Sequence, residues 1–232
     1  MRLDDVEFVS FDCYGTLIDW EAGIAGALGS LLATHGVELG PEEVLELYAE
    51  IEPEQQSGEY RLYREVLESV VDVLGERFAF RPSQSERTSL AESVGAWQPF
   101  SDTVEALRSL GRRFELVIIS NIDDDLFARS NEHLGVSFDH VITAEQARAY
   151  KPSHANFQLA FERMGRGPEG VVHVAQSLFH DIAPANELGL RSVWVNRRAG
   201  MESSGATAPS TAKPGMEVRD LATLVQIIEG EV

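Results

Sequence analysis

Short apolar runs that end in polar residues recur along this chain, and they constrain its fold more than any other feature. The first run, F-V-S-F, ends at Asp12. Later runs lie at residues 115–119, 141–143, 171–175 and 192–195. Helical patterns separate the later runs, and strands that alternate with helices form parallel sheets with helices on both faces. The sequence therefore predicts an α/β fold with a doubly wound parallel sheet.

A long helical segment separates the first run from the second. Apolar residues recur at helical spacing between Ile24 and Leu74, and Pro41 is well placed to open one of the helices. We predict a helical cap domain at residues 19–98, inserted into a core domain formed by residues 1–18 and 99–232. Such a cap can close over a site and exclude water. The stretch at residues 200–215, rich in Ser, Ala, Thr and Pro, predicts an exposed loop.

Asp12 lies at the carboxyl end of the first predicted strand, where open α/β sheets bind ligands. In the turn that follows, Gly15 allows the backbone to bend beside a bound anion, and Thr16 offers a hydroxyl to it. From these residues alone, a strand that ends in an acidic turn is an equally good interpretation. Cys13 is the single cysteine, which excludes an intramolecular disulfide, and we expect it to be a buried, inert thiol.

The motif F-D-x-Y-G-T-L around Asp12 resembles the first motif of the haloacid dehalogenase superfamily. The resemblance implies a Rossmann-like core, a cap and a covalent nucleophile at Asp12. Phosphatases of the superfamily usually carry a second aspartate two residues later, to protonate a leaving alkoxide, whereas 2-haloacid dehalogenases carry a tyrosine. That residue is Tyr14 here. Because a halide is a weak base that leaves without a proton, Tyr14 favours the dehalogenase branch and is expected to contact the substrate.

Two further positions resemble the second and third motifs of the superfamily. The resemblance implies that Ser120 and Asn121 hold the anionic group of the substrate, although a simple turn is the alternative for this pair. Lys151, in Y-K-P, matches the third motif, and a cation there would keep Asp12 ionised. The only other lysine, Lys213, is expected to lie at the surface.

The segment V-A-Q-S-L-F-H-D, which ends at Asp181, resembles the fourth motif. Magnesium-dependent phosphatases of the superfamily commonly have an aspartate at the position of Gln176. Because a neutral amide is a weaker ligand for a hard cation, we expect no metal and no cofactor, and magnesium only under a phosphatase alternative. Asp181 would hold the lysine or orient the hydrolytic water, and Gln176 and Ser177 would bind substrate. His180 is either a base at the site or a packing residue.

The chain also departs from the pattern of the 2-haloacid dehalogenases. Those enzymes have a cap arginine near the position of Tyr48 and Ala49, where this chain has none. Arg61 and Arg64 are candidates to replace it as substrate contacts, with a solvated helix face as the equal alternative. Phe157 occupies the position of a tyrosine that follows the lysine of those enzymes.

Charge limits the partners that this chain can have. A formal net charge of −19 argues against nucleic acid and anionic membranes, which require a basic face. The absence of an N-terminal signal pattern makes the cytoplasm the expected location. The predicted function is hydrolysis of small, anionic 2-haloacids through an ester on Asp12, and a homodimer is left open. The alternatives are a magnesium-dependent phosphatase, a hydrolase of other 2-substituted carboxylic acids, and a binding protein without activity.

Overall fold

The computed structural model describes residues 5–201 and 205–230. Its strands form one parallel sheet in the order β3-β2-β1-β4-β5-β6. The strands are β1 (Phe8–Phe11), β2 (Glu115–Ser120), β3 (His140–Thr143), β4 (Val171–Ala175), β5 (Arg191–Val195) and β6 (Met216–Val218). Helices separate most of these strands, so the predicted α/β, doubly wound fold is confirmed.

Strand β1 lies in the middle of the sheet, between β2 and β4. The chain adds β2 and β3 on one side of β1 and then returns to add β4, β5 and β6 on the other. The connections that follow β1 and β4 therefore diverge, and ligands of open α/β sheets bind in the crevice at such a switch point. Asp12 directly follows β1 at this crevice, and Gln176 directly follows β4.

The central strands are buried along their whole length, as continuous apolar runs in a parallel sheet should be. All four residues of β1 and all five of β4 are buried. Two polar residues interrupt these runs, Ser10 and His173, which are paired across the two strands. The Ser10 hydroxyl lies 2.9 Å from His173 Nδ1, so the polar groups satisfy each other inside the sheet.

The helices of the described residues fall into two groups along the chain. The first group is α1 (Trp20–Thr34), α2 (Pro41–Gln56), α3 (Tyr63–Arg77) and α4 (Gln84–Ser93). The second group is α5 (Thr103–Leu110), α6 (Asp124–Leu134), α7 (Ala144–Ala147), α8 (Ala155–Met164), α9 (Ala183–Glu187) and α10 (Leu221–Glu229). Within the described residues, no helix combines the length and the apolar character needed to cross a membrane.

The first group of helices occupies the segment in which we predicted the cap. The chain leaves and re-enters the core at one place, because Ile18 forms an antiparallel bridge with Pro99 and the Asp19 amide donates to Gln98 O at 2.9 Å. Asp19 is the N-cap of helix α1, and its side chain accepts from Ala22 N at 3.1 Å. The division into domains at residues 18 and 98 stays a prediction.

Helix α3 takes its N-terminal cap from the core. The residue before the helix is Leu62, which has no side-chain oxygen to offer the first amide groups. Asp123, which lies just before α6, is fully buried and accepts from Tyr63 N at 2.7 Å and from Arg64 N at 2.9 Å. A core carboxylate thus fixes the start of this helix.

Two predictions about the C-terminal part need correction. The loop predicted to be exposed at residues 200–215 is buried at residues 205–207, because Ala206 and Thr207 pack against the crevice; residues 202–204 lie outside the described residues. We also predicted the run at residues 192–195 as the last clear strand, but β6 follows it. This strand has only three residues and includes Glu217, so it lacks an apolar run that could have revealed it.

Candidate active site

The Asp12 carboxylate is held from two sides at the end of β1. Its Oδ2 accepts a hydrogen bond from Thr16 Oγ1 at 2.8 Å, and its Oδ1 accepts one from Lys151 Nζ at 2.9 Å. Thr16 Oγ1 is itself fixed, because it accepts from the backbone amide of Gln176 at 2.9 Å. Asp12 is 7% exposed and lines a cavity, so one buried carboxylate with a set orientation faces this cavity.

Lys151 is buried between two carboxylates. Its Nζ donates to Asp12 Oδ1 at 2.9 Å, to Asp181 Oδ1 at 2.6 Å and to Ile119 O at 2.8 Å. An ammonium group has three hydrogens, so these bonds use all of its donors. Lys151 therefore binds the two aspartates and has no donor left for another anion.

The protonation states follow from burial and from this shared cation. Burial raises the pKa of Asp12, and the charge of Lys151 acts against that effect. Burial also opposes ionisation of Asp181, but Lys151 and His173 outweigh it and lower the pKa of Asp181 to about 2. For Lys151, burial opposes the charge, yet the two carboxylates raise its pKa. Asp181 is thus an anion and Lys151 a cation at neutral pH.

His173 supports Asp181 from inside the sheet. Its Nε2 lies 2.9 Å from Asp181 Oδ1, and because an ionised carboxylate can only accept, this nitrogen carries the proton. Asp181 Oδ2 is buried without a hydrogen-bond partner among the described residues. Sequence analysis missed His173, although a histidine inside an otherwise apolar strand was a usable signal.

Ser120 is the last residue of β2, and Asn121 follows it. Strand β2 lies on the side of β1 away from β4, and both residues line the cavity. Ser120 Oγ is buried and has no hydrogen-bond partner within the described chain, which leaves it available to a substrate. The Asn121 side chain is already engaged: Nδ2 donates to Lys151 O at 3.0 Å, and Oδ1 accepts from Lys151 N at 2.7 Å. Asn121, predicted as a substrate contact, thus fixes the backbone of Lys151.

The cavity lies between the carboxyl edge of the sheet and the helices of the cap segment. Its lining comprises Asp12, Tyr14, Trp20, Glu52, Pro53, Gln56, Tyr63, Trp97, Ser120, Asn121, Lys151, Gln176, Ser177, His180, Asp181, Ala206, Thr207 and Ala208. The Tyr14 hydroxyl lies 2.8 Å from Ser130 Oγ, and its ring meets the edge of Trp97 with the ring centres 5.9 Å apart. Burial raises the pKa of Tyr14, which keeps it a neutral phenol.

The fourth-motif side chains also line the cavity, but most of their polar atoms have protein partners. Gln176 Oε1 accepts from Thr207 Oγ1 at 3.2 Å. Ser177 Oγ accepts from His180 N at 2.9 Å and lies 3.2 Å from His180 Nδ1, at the start of a π-helical turn (Leu178–Ile182). Burial lowers the pKa of His180 to about 4, so its ring is neutral at pH 7.

The arginines predicted to replace the cap arginine are not among the residues that line the cavity. Arg61 donates to Gln55 O at 2.6 Å and to Ser69 Oγ at 3.2 Å. Arg64 forms an ion pair with Asp125 at the surface. Both guanidinium groups thus have partners outside the cavity, and their proposed contact with substrate stays a prediction that this geometry does not favour.

The sites of Asp12 and Asp181 do not fit a magnesium ion. The ammonium group of Lys151 binds an oxygen of each carboxylate, and Gln176 Oε1 is engaged by Thr207. Within the described residues, no cluster of three or more His, Cys, Asp or Glu side chains could hold a metal.

Two other residues singled out in the sequence lie as expected. Cys13 is fully buried, and burial raises the pKa of its thiol well above the usual value. Lys213 is exposed.

Comparison with known proteins places this geometry in a family. A model of the haloacid dehalogenase-like hydrolases matches residues 6–189. An (S)-2-haloacid dehalogenase from Pseudomonas sp. (strain YL) is 24% identical over 98% of this chain and 96% of the relative. Haloacetate dehalogenase H-2 from Moraxella sp. (strain B) is 26% identical over 83% of this chain and 86% of the relative.

Solved structures of dehalogenases share the fold over the whole chain. A defluorinating L-2-haloacid dehalogenase superposes with a TM-score of 0.83 at 20% identity, covering 99% of both chains. The L-2-haloacid dehalogenase from Xanthobacter autotrophicus gives a TM-score of 0.81 at 20% identity, covering 98% of this chain and 100% of the other. Since the family model spans most of the chain and the fold agrees, this chain belongs to the haloacid dehalogenase-like hydrolases.

Proposed function

We propose that this protein is a hydrolytic dehalogenase of small 2-haloacids that works through an ester on Asp12. The observation that carries the proposal is the Asp12 carboxylate itself, oriented by Thr16 and Lys151 and facing a cavity with aromatic walls. The similarity to an (S)-2-haloacid dehalogenase and to a haloacetate dehalogenase supports the same reaction.

In the first step, one Asp12 oxygen attacks the carbon that bears the halogen. A carbon–oxygen bond forms as the carbon–halogen bond breaks, and the halide leaves with the bonding electron pair. The halide needs no proton, which suits the neutral Tyr14 two residues after the nucleophile. Trp20 and Trp97 provide apolar walls for the halogen.

In the second step, water attacks the carbonyl carbon of the Asp12 ester. The bond between this carbon and the ester oxygen breaks, so the 2-hydroxyacid leaves with an oxygen that came from Asp12, and one proton is released. Lys151 stabilises the negative charge that develops on the carbonyl oxygen. Asp181 Oδ2, which has no partner in the described part of the chain, is the candidate to orient the water.

The substrate would be positioned from the side of β2. Ser120 Oγ is the buried hydroxyl without a partner, and it is placed to donate to the substrate carboxylate. Asn121 contributes indirectly, because its amide fixes the backbone of Lys151. No step requires a metal, in line with a donor set that does not fit magnesium.

Halide release from the two enantiomers of 2-chloropropionate, in the presence of a chelator, tests this function. We expect chloride release with chelator present and no turnover of an aryl phosphate with magnesium. Phosphate release that depends on magnesium, without chloride release, would favour the phosphatase instead.

A single turnover in heavy-oxygen water, with enzyme in excess, tests the ester. The label should appear in the Asp12 side chain and not in the product hydroxyl. A labelled product with unlabelled Asp12 would show direct attack by water and contradict the covalent mechanism.

A further inference from the structure

Glu52 is a buried carboxyl group in the cavity that the proposed mechanism does not use. It lies on α2 of the cap segment, is 7% exposed, and lines the same cavity as Asp12. The Gln56 side-chain amide donates to Glu52 Oε1 from one turn further along the helix. Tyr63 lines the same cavity, and its hydroxyl lies 2.6 Å from the Tyr48 hydroxyl. Acidic side chains are rarely buried unless they are paired, so this position calls for an explanation.

The surroundings of Glu52 contain little positive charge. Its neighbours in the cap segment, Gln56, Tyr63 and Tyr48, are all uncharged side chains. The titratable or charged groups of the core that line the same cavity are Asp12, Tyr14, Lys151, His180 and Asp181, and Tyr150 also interacts with Glu52. Lys151 is the one cation in this set, and its ammonium group already donates to Asp12, Asp181 and Ile119 O. Burial without a basic partner raises the pKa of Glu52 to about 7.

An anionic substrate meets an unusual arrangement in this cavity. Its carboxylate would have to approach Asp12, the ionised Asp181 and Glu52, while Lys151, the cation among the described residues that line the cavity, has its three donors engaged. Two carboxyl groups in contact cannot both be ionised at low cost, but they bind each other well when they share one proton. A neutral Glu52 would supply that proton, and Gln56 Nε2, which donates to Glu52 Oε1, does not compete for it.

We infer that Glu52 is a specificity-determining residue that enters the complex as a neutral acid and donates a hydrogen bond to the substrate carboxylate. An anionic substrate then binds together with a proton. The inference rests on the proposed function, in that the substrate is taken to be a small carboxylate. Glu52 would bind the substrate carboxylate through a hydrogen bond, where a cap arginine would bind it through its charge.

This coupling makes binding depend on pH in a defined direction. Only the fraction of protein with neutral Glu52 is competent, and this fraction falls as the pH rises through the pKa of Glu52. The apparent dissociation constant should therefore rise about tenfold between pH 6 and pH 8. A neutral ligand of the same shape needs no proton and should show no such change.

Calorimetric titration of the wild-type protein with propionate measures the coupling directly. Propionate has the carboxylate but no leaving group, so no reaction follows binding. Titrations at pH 7 in two buffers with different ionisation enthalpies give the number of protons taken up. We expect about half a proton for each bound propionate at pH 7, close to none at pH 5.5, and none at any pH for propionamide.

Two variants on α2 separate Glu52 from the other acids. Glu52→Gln keeps a hydrogen-bond donor and cannot titrate, so it should bind propionate with no proton uptake and no dependence on pH. Glu54→Gln makes the same change at an exposed position of the same helix and should behave as wild type. Thermal melts of both variants check that each is folded.

The inference is overturned if propionate does not bind between pH 5.5 and pH 8, or if it binds without proton uptake. It is also overturned if uptake persists in Glu52→Gln, since the proton would then reside on Asp12 or His180. These outcomes are independent of turnover. Proton-coupled propionate binding without halide release would support the role of Glu52 and reject the dehalogenase function. Halide release without proton uptake would support the dehalogenase function and reject the role of Glu52.

Discussion

Replacement of Lys151 by methionine tests the charge arrangement on which the mechanism depends. Methionine keeps an unbranched apolar stem of similar length and removes only the ammonium group. In the wild-type protein this group donates at 2.9 Å to Asp12, at 2.6 Å to Asp181 and at 2.8 Å to Ile119 O. The variant would leave two buried carboxylates facing each other without a counter-charge.

The size of the effect can be worked from these contacts. Removing one partner of a buried ion pair costs about 3–5 kcal/mol of unfolding free energy. Loss of an adjacent opposite charge raises the pKa of a carboxyl group by about one to three pH units. Burial already raises the pKa of Asp12, and Lys151 is the main group that counters it. With stabilisation of the ester oxyanion also lost, kcat should fall at least about a hundredfold at neutral pH.

The assay is the pH dependence of steady-state halide release, which yields kcat, for wild type, Lys151→Met and Lys213→Met. The acid limb of the Lys151→Met profile should move to higher pH, because Asp12 must lose its proton before it can attack. Lys213 is the only other lysine and is exposed, so its variant should match wild type and controls for the loss of a positive charge. A folded Lys151→Met protein with near-wild-type kcat and an unshifted profile would refute the assignment.

Three further predictions follow from the site. Ser120→Ala should raise KM for 2-chloropropionate about tenfold with a smaller change in kcat, in steady-state kinetics, because it removes one hydrogen bond to a charged group. Glu52→Gln should raise the melting temperature at pH 8 but not at pH 4. The folded state holds the Glu52 proton up to a pKa of about 7 while the unfolded state loses it near 4.5, so wild-type stability falls across that window, by about 3 kcal/mol in all. Dialysis against a chelator should leave halide release unchanged, and activity that returns only with magnesium would contradict the metal-free mechanism.

The sequence predicted the sheet and its polar edge because both are local properties. The run before Asp12 is apolar and ends at an acid, and a strand of that composition must be buried. Position in a parallel sheet then brings strand ends together, which is why Asp12, Ser120 and, in the turn that follows β4, Asp181 line one cavity. Lys151 was found through its place in the third motif and its rarity in the chain.

The rest of the site depends on tertiary packing that no local pattern reveals. Glu52 lies on a helix rich in acidic residues, and nothing in its neighbours along the chain distinguishes it from Glu50 or Glu54. The cavity position of Thr207 arises from a polar loop that folds back onto the crevice. Arg61 was a candidate substrate contact because of its charge and position, and which partner its guanidinium binds, here Gln55 O, is likewise decided by packing.

The carboxylate of Asp123 ties the unfolding of the cap segment to that of the core. An N-cap contributes about 0.5–2 kcal/mol to a helix, and this one is supplied by a residue some sixty positions away along the chain. When β2 and its following loop come apart, α3 loses its cap at the same moment, so the two elements behave as one cooperative unit. Thermal unfolding should then proceed in a single transition, and residues 19–98 expressed alone would begin α3 without the carboxylate that accepts from the Tyr63 and Arg64 amides.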